Sequence, residues 1–340
     1  MLGRISSGIA AATVCIASSC AFAQQAYSIV DRWKVGGTGG WDYLLADPPQ
    51  HRLYVTHGTR VEVLDTVTGH IIGSISGLKG THGIALDSDG KTGYISDGGA
   101  NAVVVFDRGT LATLASIPTG GNPDGVIFEP TTKTVWAFNG HTKNVTVIDT
   151  ASRSVIATIG LPGKPEFPQV DGEGNVFVNI EDRNSIVHLS AADKKMVATW
   201  PLKGCESPSG MAFDNAGVRL FSVCDGGKMA VTDATTGKQL ALPAIGDGPD
   251  AAGYDAKDGL AFSSNGDGTL SVVNTRNGYK TIQTVATVKG ARTMAYDAAA
   301  DRIYLSSAAY GPTPPATAAV PHPRAAVLPD TFTILVVGRK

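Results

Sequence analysis

The chain has 340 residues, a formal net charge of −2, 17% charged residues and 41 glycines. Ordinary domains carry roughly 25% charge, and Gly costs about 1 kcal/mol per helical position, so this composition argues against a helical bundle and for a turn-rich β protein. Hydrophobic residues at 43% exclude global disorder, and the near-neutral balance offers no basic patch for nucleic acid.

The N-terminus reads as an export signal. Arg4 supplies the positive region, Ile5 to Cys20 a short apolar stretch, and Ala21-Phe22-Ala23 an A-x-A cleavage site. The expected organisation is therefore a signal peptide over residues 1–23 and one domain over residues 24–340, in the periplasm or secreted. Ala17-Ser18-Ser19-Cys20 is a minor alternative, a lipoprotein box anchored at Cys20. No later window is apolar for 18 residues, so no membrane-spanning helix is expected. Cleavage leaves Cys205 and Cys224, an even number in an oxidising compartment. Cys224 ends a predicted strand and Cys205 precedes its antiparallel neighbour, so a disulfide between them is expected.

The remaining chain is an internal repeat. Tyr27 to Val35 reads as a lone strand. Then Leu53-Tyr54-Val55-Thr56 and Val61-Glu62-Val63-Leu64-Asp65 are followed by Gly83-Ile84-Ala85-Leu86-Asp87, Gly93-Tyr94-Ile95-Ser96 and Val103-Val104-Val105-Phe106-Asp107. Gly125-Val126-Ile127-Phe128-Glu129 and Val145-Thr146-Val147-Ile148-Asp149 continue the series. Asp65, Asp107 and Asp149 are spaced by 42 residues each. Four short strands per period, without a 3.6-residue pattern, describe a propeller blade. Seven first strands can be counted between Asp42 and Arg292. The last copy lacks its fourth strand, and residues 27–35 resemble that strand, so the N-terminal strand should close the ring beside residues 332–337 and remove the open edges. The fold expected is all-β, a seven-bladed β-propeller whose last blade is closed by the N-terminal strand. Residues 308–329, rich in Pro and Ala, form an insertion in that blade. It is either an irregular appendage or a cover bringing Tyr310, His322 and Arg324 to a ligand.

Tyr54-Val55-Thr56 and the Asp65-Thr66-Val67-Thr68-Gly69 turn, with a second turn at Ala234 to Lys238, resemble the YVTN-repeat, YncE-like β-propeller family over essentially the whole mature chain. The resemblance implies a periplasmic propeller and leaves function open, because propellers host hydrolases, lyases, redox proteins and binding scaffolds. One relative is linked to nucleic-acid binding; the charge of this chain does not support carrying that over.

Five residues before the residue that ends each first strand stand Asp42, His82, Asp124, Glu166, Ser209, Asp250 and Arg292. At the second-strand ends stand His57, Asp97, Asn139, Ile180, Cys224, Ser264 and Ser307. These polar rings are either a solvated rim or a ligand site, with Asp42, His57, His82, Asp97, Asp124, Asn139, Glu166, Asp250 and Arg292 as its candidate residues. His57, His82, Asp97 and Asp124 have the donor types of a transition-metal site, or the histidines merely cap strand ends. Asp124, Asn139, Glu166, Asn179 and Asp250 would suit Ca²⁺. A divalent metal is thus a possible cofactor. Asp87-Ser88-Asp89-Gly90 is explained by a β-turn, and neither a Cys-x-x-Cys-His nor a Gly-x-Ser-x-Gly motif occurs. The function expected is an exported binding protein, probing a small polar molecule, a metal or a protein partner on the channel-mouth face, as a monomer. The alternative is a metal-assisted hydrolase or lactonase acting on that face.

Overall fold

The structure, a computed structural model, describes Gly3, residues 26–317, Pro323 and residues 325–339. The expected export signal, Gly3 apart, and His322 and Arg324 of the insertion lie outside the described residues. Seven four-stranded antiparallel sheets form the blades. Blade one comprises Trp41–Asp47, Arg52–His57, Arg60–Asp65 and Ile71–Ile75. Blades two, three and four begin with Thr81–Leu86, Pro123–Glu129 and Pro165–Val170. Blades five, six and seven begin with Met211–Asp214, Pro249–Asp255 and Met294–Asp297.

Sequence explains the layering. Second and third strands are packed between neighbouring sheets on both faces, so their apolar residues run without interruption: Val103, Val105 and Phe106 are fully buried, as are Val135, Trp136 and Phe138. Fourth strands lie on the outside and carry exposed residues, as in Ile71–Ile75 and Ser154–Gly160. In blades one, two, three and five the turn after the third strand is set by its last carboxylate. Asp65 Oδ1 accepts the N–H of Val67 and Thr68 and the Thr68 hydroxyl at 2.7–3.0 Å. Asp107 with Thr110, Asp149 with Ser152 and Asp233 with Thr236 repeat this arrangement. These hydrogen bonds hold all four carboxyls below their ordinary range. Gly69 completes the first turn at φ +73°, and a Cβ there would lie 2.4 Å from the Trp33 ring. Trp33 belongs to the N-terminal strand, so this glycine also lets the closing strand lie flat on blade one.

Tyr27–Lys34 pairs antiparallel with Thr333–Arg339, as the missing fourth strand required, with a bulge between Ile29 and Asp31. Gln283 of blade six bonds the backbone N–H and C=O of Tyr27 at 3.0 and 2.7 Å. The Tyr27 hydroxyl donates to Asp301 at 2.9 Å, and Arg339 lies over the Tyr27 ring, 5.1 Å from its centre. Blade five departs from the pattern. Its first strand is only four residues long, and the chain leading into it is held by a Cys205–Cys224 disulfide with the Cα atoms 5.2 Å apart. The bridge ties that lead-in to the end of Arg219–Cys224, beside backbone bonds from the Ser209 N–H to the Val223 carbonyl and from the Asp225 N–H to the Glu206 carbonyl at 3.0 and 2.8 Å. Among the described residues no helix is long and apolar enough to cross a membrane; the disulfide is compatible with an oxidising compartment.

Two outcomes are expected. Removing Tyr27–Lys34 exposes the whole edge of Thr333–Arg339; the truncated protein should melt well below the intact one or aggregate, and an unchanged melting curve would contradict closure. Replacing Cys205 and Cys224 together by Ser should cost about 2–4 kcal/mol in denaturant unfolding, with no free thiol titrating in the native parent.

Candidate functional site

The first strands line a central channel, and their initial residues ring one end of it. Tyr43 of blade one and Phe167 of blade four reach across and stack, with centroids 4.9 Å apart and planes inclined by 26°. This stack separates two spaces. Beneath it lies an apolar chamber of about 510 Å³, bounded by Leu45, Ile84, Val126, Phe213, Tyr254 and Tyr296 among others. Above it lies a polar mouth of about 270 Å³, whose ionisable lining is Asp42, Asp124, Glu166, Glu181 and Asp250 with Lys164 and Arg292. The mouth is therefore a pocket with an aromatic floor.

The side chains of the mouth fall into three groups. His82 Nδ1 meets Asp42 Oδ2 at 2.7 Å and Asp124 Oδ1 at 3.8 Å. Lys164 bridges Glu166 and Glu181, each at 2.5 Å. Arg292 meets Asp250 at 3.2 Å, and Asp250 also accepts the Ser209 hydroxyl at 2.8 Å. Backbone placement is held from behind by buried polar residues of the second strands. The Ser96 hydroxyl donates to the Asp124 carbonyl at 2.5 Å, Asn179 donates to the Ser209 carbonyl at 2.8 Å, and Ser264 donates to the Arg292 carbonyl. Each crosses from one blade to the ring residue of the next.

The electrostatics follow from this enclosure. Burial and the neighbouring Asp42 charge push the Asp124 carboxyl upward, against His82 and Lys164. Burial and Asp124 likewise raise Glu166, against Lys164, and burial raises Asp250 against Arg292. For His82, burial acts downward, but the hydrogen bond to Asp42 and the charges of Asp124 and Asp42 prevail and raise it to about 9. Burial, followed by Asp124 and Asp42, keeps the Tyr43 phenol neutral well above its usual range.

The second-strand ends are elsewhere. His57 is fully buried; its Nδ1 faces Arg60 at 2.9 Å and its ring packs on Phe332 at 4.5 Å. Burial, then the Arg60 charge, lowers it to about 4. Asp97 accepts the backbone N–H of Lys79 and Gly80 at 2.8–3.0 Å. Asn139 donates to Asn144 and Thr146 at 2.7 and 3.0 Å, and the Asn179 amide is engaged by blade five, donating to the Ser209 carbonyl and accepting the Ser222 hydroxyl, each at 2.8 Å. The foursome His57, His82, Asp97 and Asp124 is thus not assembled as one cluster, nor is the oxygen set containing Asn139 and Asn179. The pairing of Trp41 with His57, Thr81 with Asp97 and Pro123 with Asn139 puts these residues opposite the residue preceding each ring position. In a pleated strand that neighbour points the other way. The group whose ligating atoms lie together is Asp42, His82 and Asp124, all within 4.8 Å of one another.

Lys164, Tyr43 and Phe167 were not legible as mouth residues. Lys164 lies two positions before Glu166, outside the repeat positions, and the aromatic pair comes from distant blades. Trp41 stacks on Phe332 at 4.8 Å and contacts Tyr310 of the insertion at 6.3 Å. Trp41 and Tyr310, with Lys289, Arg292 and Val327, line a second space that shares Asp42, Asp250 and Arg292 with the mouth.

No protein-family model and no curated protein matches the sequence. Solved structures do match. A chain of Kuenenia stuttgartiensis hydrazine synthase superposes with a TM-score of 0.71 at 15% identity, over 79% of this chain and 92% of that one. U3-55K gives 0.74 at 11% identity, over 91% and 99%. The WD40 repeats of RRP9 give 0.77 at 12% identity, over 92% and 99%. At such identities the likeness is one of fold, and the fold is a seven-bladed propeller, one suited to binding and scaffold roles.

The shifts at the mouth share one sign. His82 is stabilising while protonated, fully below its ordinary value of 6.5, and loses that contribution as pH rises through about 9. The raised carboxyls of Asp124, Glu166 and Asp250 bind protons more tightly in the fold than in the unfolded chain, so their ionisation also opposes folding as pH rises. The melting temperature should therefore fall from pH 5.5 to 9.5, and Glu166→Gln should flatten that fall. A flat parent profile would contradict this electrostatic account.

Proposed function

We propose that the chain is an exported binding protein that holds a small cationic ligand, an organic ammonium or a metal dication, in the channel mouth. The observation that carries this reading is the charge of a floored pocket: five carboxylate residues line it against two permanently cationic ones, Lys164 and Arg292. Carboxylates gathered above an aromatic floor repel one another, and a cation placed among them relieves that repulsion where burial weakens solvent screening. The ring varies in chemistry from blade to blade, so it presents an asymmetric surface that orients one ligand. The signal peptide read from residues 1–23 supports export, and the repeat resemblance to YVTN-type propellers agrees with a periplasmic protein of this kind.

A metal-assisted hydrolase is the second reading, favoured by the convergence of Asp42, His82 and Asp124. It differs from the first in requiring turnover of a lactone or ester by the metal-supplemented protein.

The binding reading is tested by calorimetric titration with putrescine, Zn²⁺, Mn²⁺ and Ca²⁺, with phosphate and citrate as anionic controls. At least one cation should bind, and Glu166→Gln and Asp250→Asn should each weaken it about tenfold or more, equivalent to about 1.4 kcal/mol. Preference for the anions, or cation binding unchanged in both variants, would refute it.

A further inference from the structure

We infer that Asp42, His82 and Asp124 form a binding site for a single first-row divalent metal ion of the Zn²⁺ or Mn²⁺ type, with its remaining coordination positions open to the mouth cavity. The inference rests on the cationic reading of the mouth and names the ion and the atoms that hold it.

The three residues occupy the same structural position in three consecutive blades. Their backbones are therefore spaced by the propeller itself rather than by loops. Their ligating atoms lie within 4.8 Å of one another. Donors on a first-row dication at bond lengths of about 2.1 Å stand about 3.0–3.4 Å apart at adjacent positions. The observed His82–Asp42 and His82–Asp124 separations, 2.7 and 3.8 Å, straddle that span. The set reaches bonding distance once rotamer changes draw its outermost oxygens together.

The state of each donor supports the assignment. The Asp124 side chain is only 14% exposed, yet its carboxylate accepts no hydrogen bond among the described residues. Elsewhere in the chain a largely buried carboxylate such as Asp97 is taken up by backbone N–H groups. Asp124 is left with the His82 imidazole as its near partner and with both oxygens uncommitted. His82 presents Nδ1 to the two carboxylates, while Asn122 hydrogen-bonds the imidazole. A Cβ added to Gly98 would lie 2.7 Å from both His82 Nε2 and Asn122 Oδ1, which puts the amide oxygen on the Nε2 side. That is the outer-partner arrangement that fixes the tautomer and ring orientation of a metal-bound histidine. One imidazole nitrogen and two carboxylate oxygens suit first-row transition dications better than Ca²⁺ or Mg²⁺, which take oxygen sets. On binding, Nδ1 gives up its proton to solvent and donates its lone pair to the metal, and the Asp42 oxygen that had accepted that proton becomes a ligand.

The test uses the mature chain freed of metal by chelator and dialysis. Calorimetric titration with ZnCl₂ and MnCl₂ should give a stoichiometry of one. His82→Ala and Asp124→Asn should each lower the affinity at least 100-fold while still unfolding in one cooperative transition in the absence of metal. Gly98→Ala, which keeps all three ligand residues but forces the His82 ring or Asn122 to shift, should lower it about tenfold. Co²⁺ should give a visible absorption band that is lost in His82→Ala. Metal binding of equal strength in His82→Ala and Asp124→Asn overturns the site. Putrescine binding at the mouth without any metal binding also overturns it, while leaving the cationic reading intact; binding of neither removes both. If either variant no longer unfolds cooperatively, Asp42→Asn and Gly98→Ala decide by the same readout.

Discussion

The antiparallel pairing of Tyr27–Lys34 with Thr333–Arg339 is the constraint on which the rest of the molecule depends. A blade cannot bury both of its faces alone; it needs a neighbour on each side. Seven blades satisfy one another only if the last is complete, and the completing strand comes from the other end of the chain. Gln283, Asp301 and Arg339 fasten its first residue to blades six and seven, and Trp33 lays its last part against Gly69 of blade one. The seam is therefore held from both sides, and the first-strand starts of all seven blades are brought around one axis.

That circle gives the mouth its chemistry. Seven backbone positions, none adjacent in sequence, converge above the Tyr43–Phe167 stack. The stack closes the mouth from the chamber below, and the walls bring the carboxylates of separate blades together. The raised carboxyls and the raised imidazole are both consequences of that crowding, for burial penalises charge and His82 is the cation that best compensates it. Hydroxyl and amide groups of the second strands, Ser96, Asn179 and Ser264, each anchor the ring residue of the next blade. Displacing one blade would thus shift a ligand contributed by its neighbour.

The mouth also has a side chamber. Trp41, covered partly by Tyr310 of the insertion and partly by Phe332, lines it with Lys289 and Val327, and Asp42, Asp250 and Arg292 border both spaces. The chamber is therefore aromatic on one side and charged on the other. This asymmetry distinguishes blade one from the other six, whose first strands carry no Trp.

Much was written locally. The 42-residue spacing, the Asp-x-x-Thr turns and the apolar second and third strands specify a blade using contacts within a few residues, so they repeat visibly in the sequence. The missing fourth strand implied closure, and the Cys205–Cys224 pair followed from the hairpin between them. Stepping five residues back from each first-strand end found Asp42, His82, Asp124, Glu166, Ser209, Asp250 and Arg292, because the count of residues from the mouth to the far turn is itself repeated, whatever the length of the strand between. The second-strand ends were a different matter. His57, Asp97 and Asn139 are polar in the same rhythm, yet they point into the sheets, where Arg60 meets His57, backbone N–H groups take up Asp97 and Thr146 accepts from the Asn139 amide. Polarity in a pattern shows that a position meets hydrogen-bonding partners; it does not distinguish a ligand from the protein's own backbone. That distinction, the Lys164 bridge and the aromatic floor were decided by tertiary structure alone, because each depends on which side of a pleat faces the axis and which blades stand opposite one another once the ring is closed.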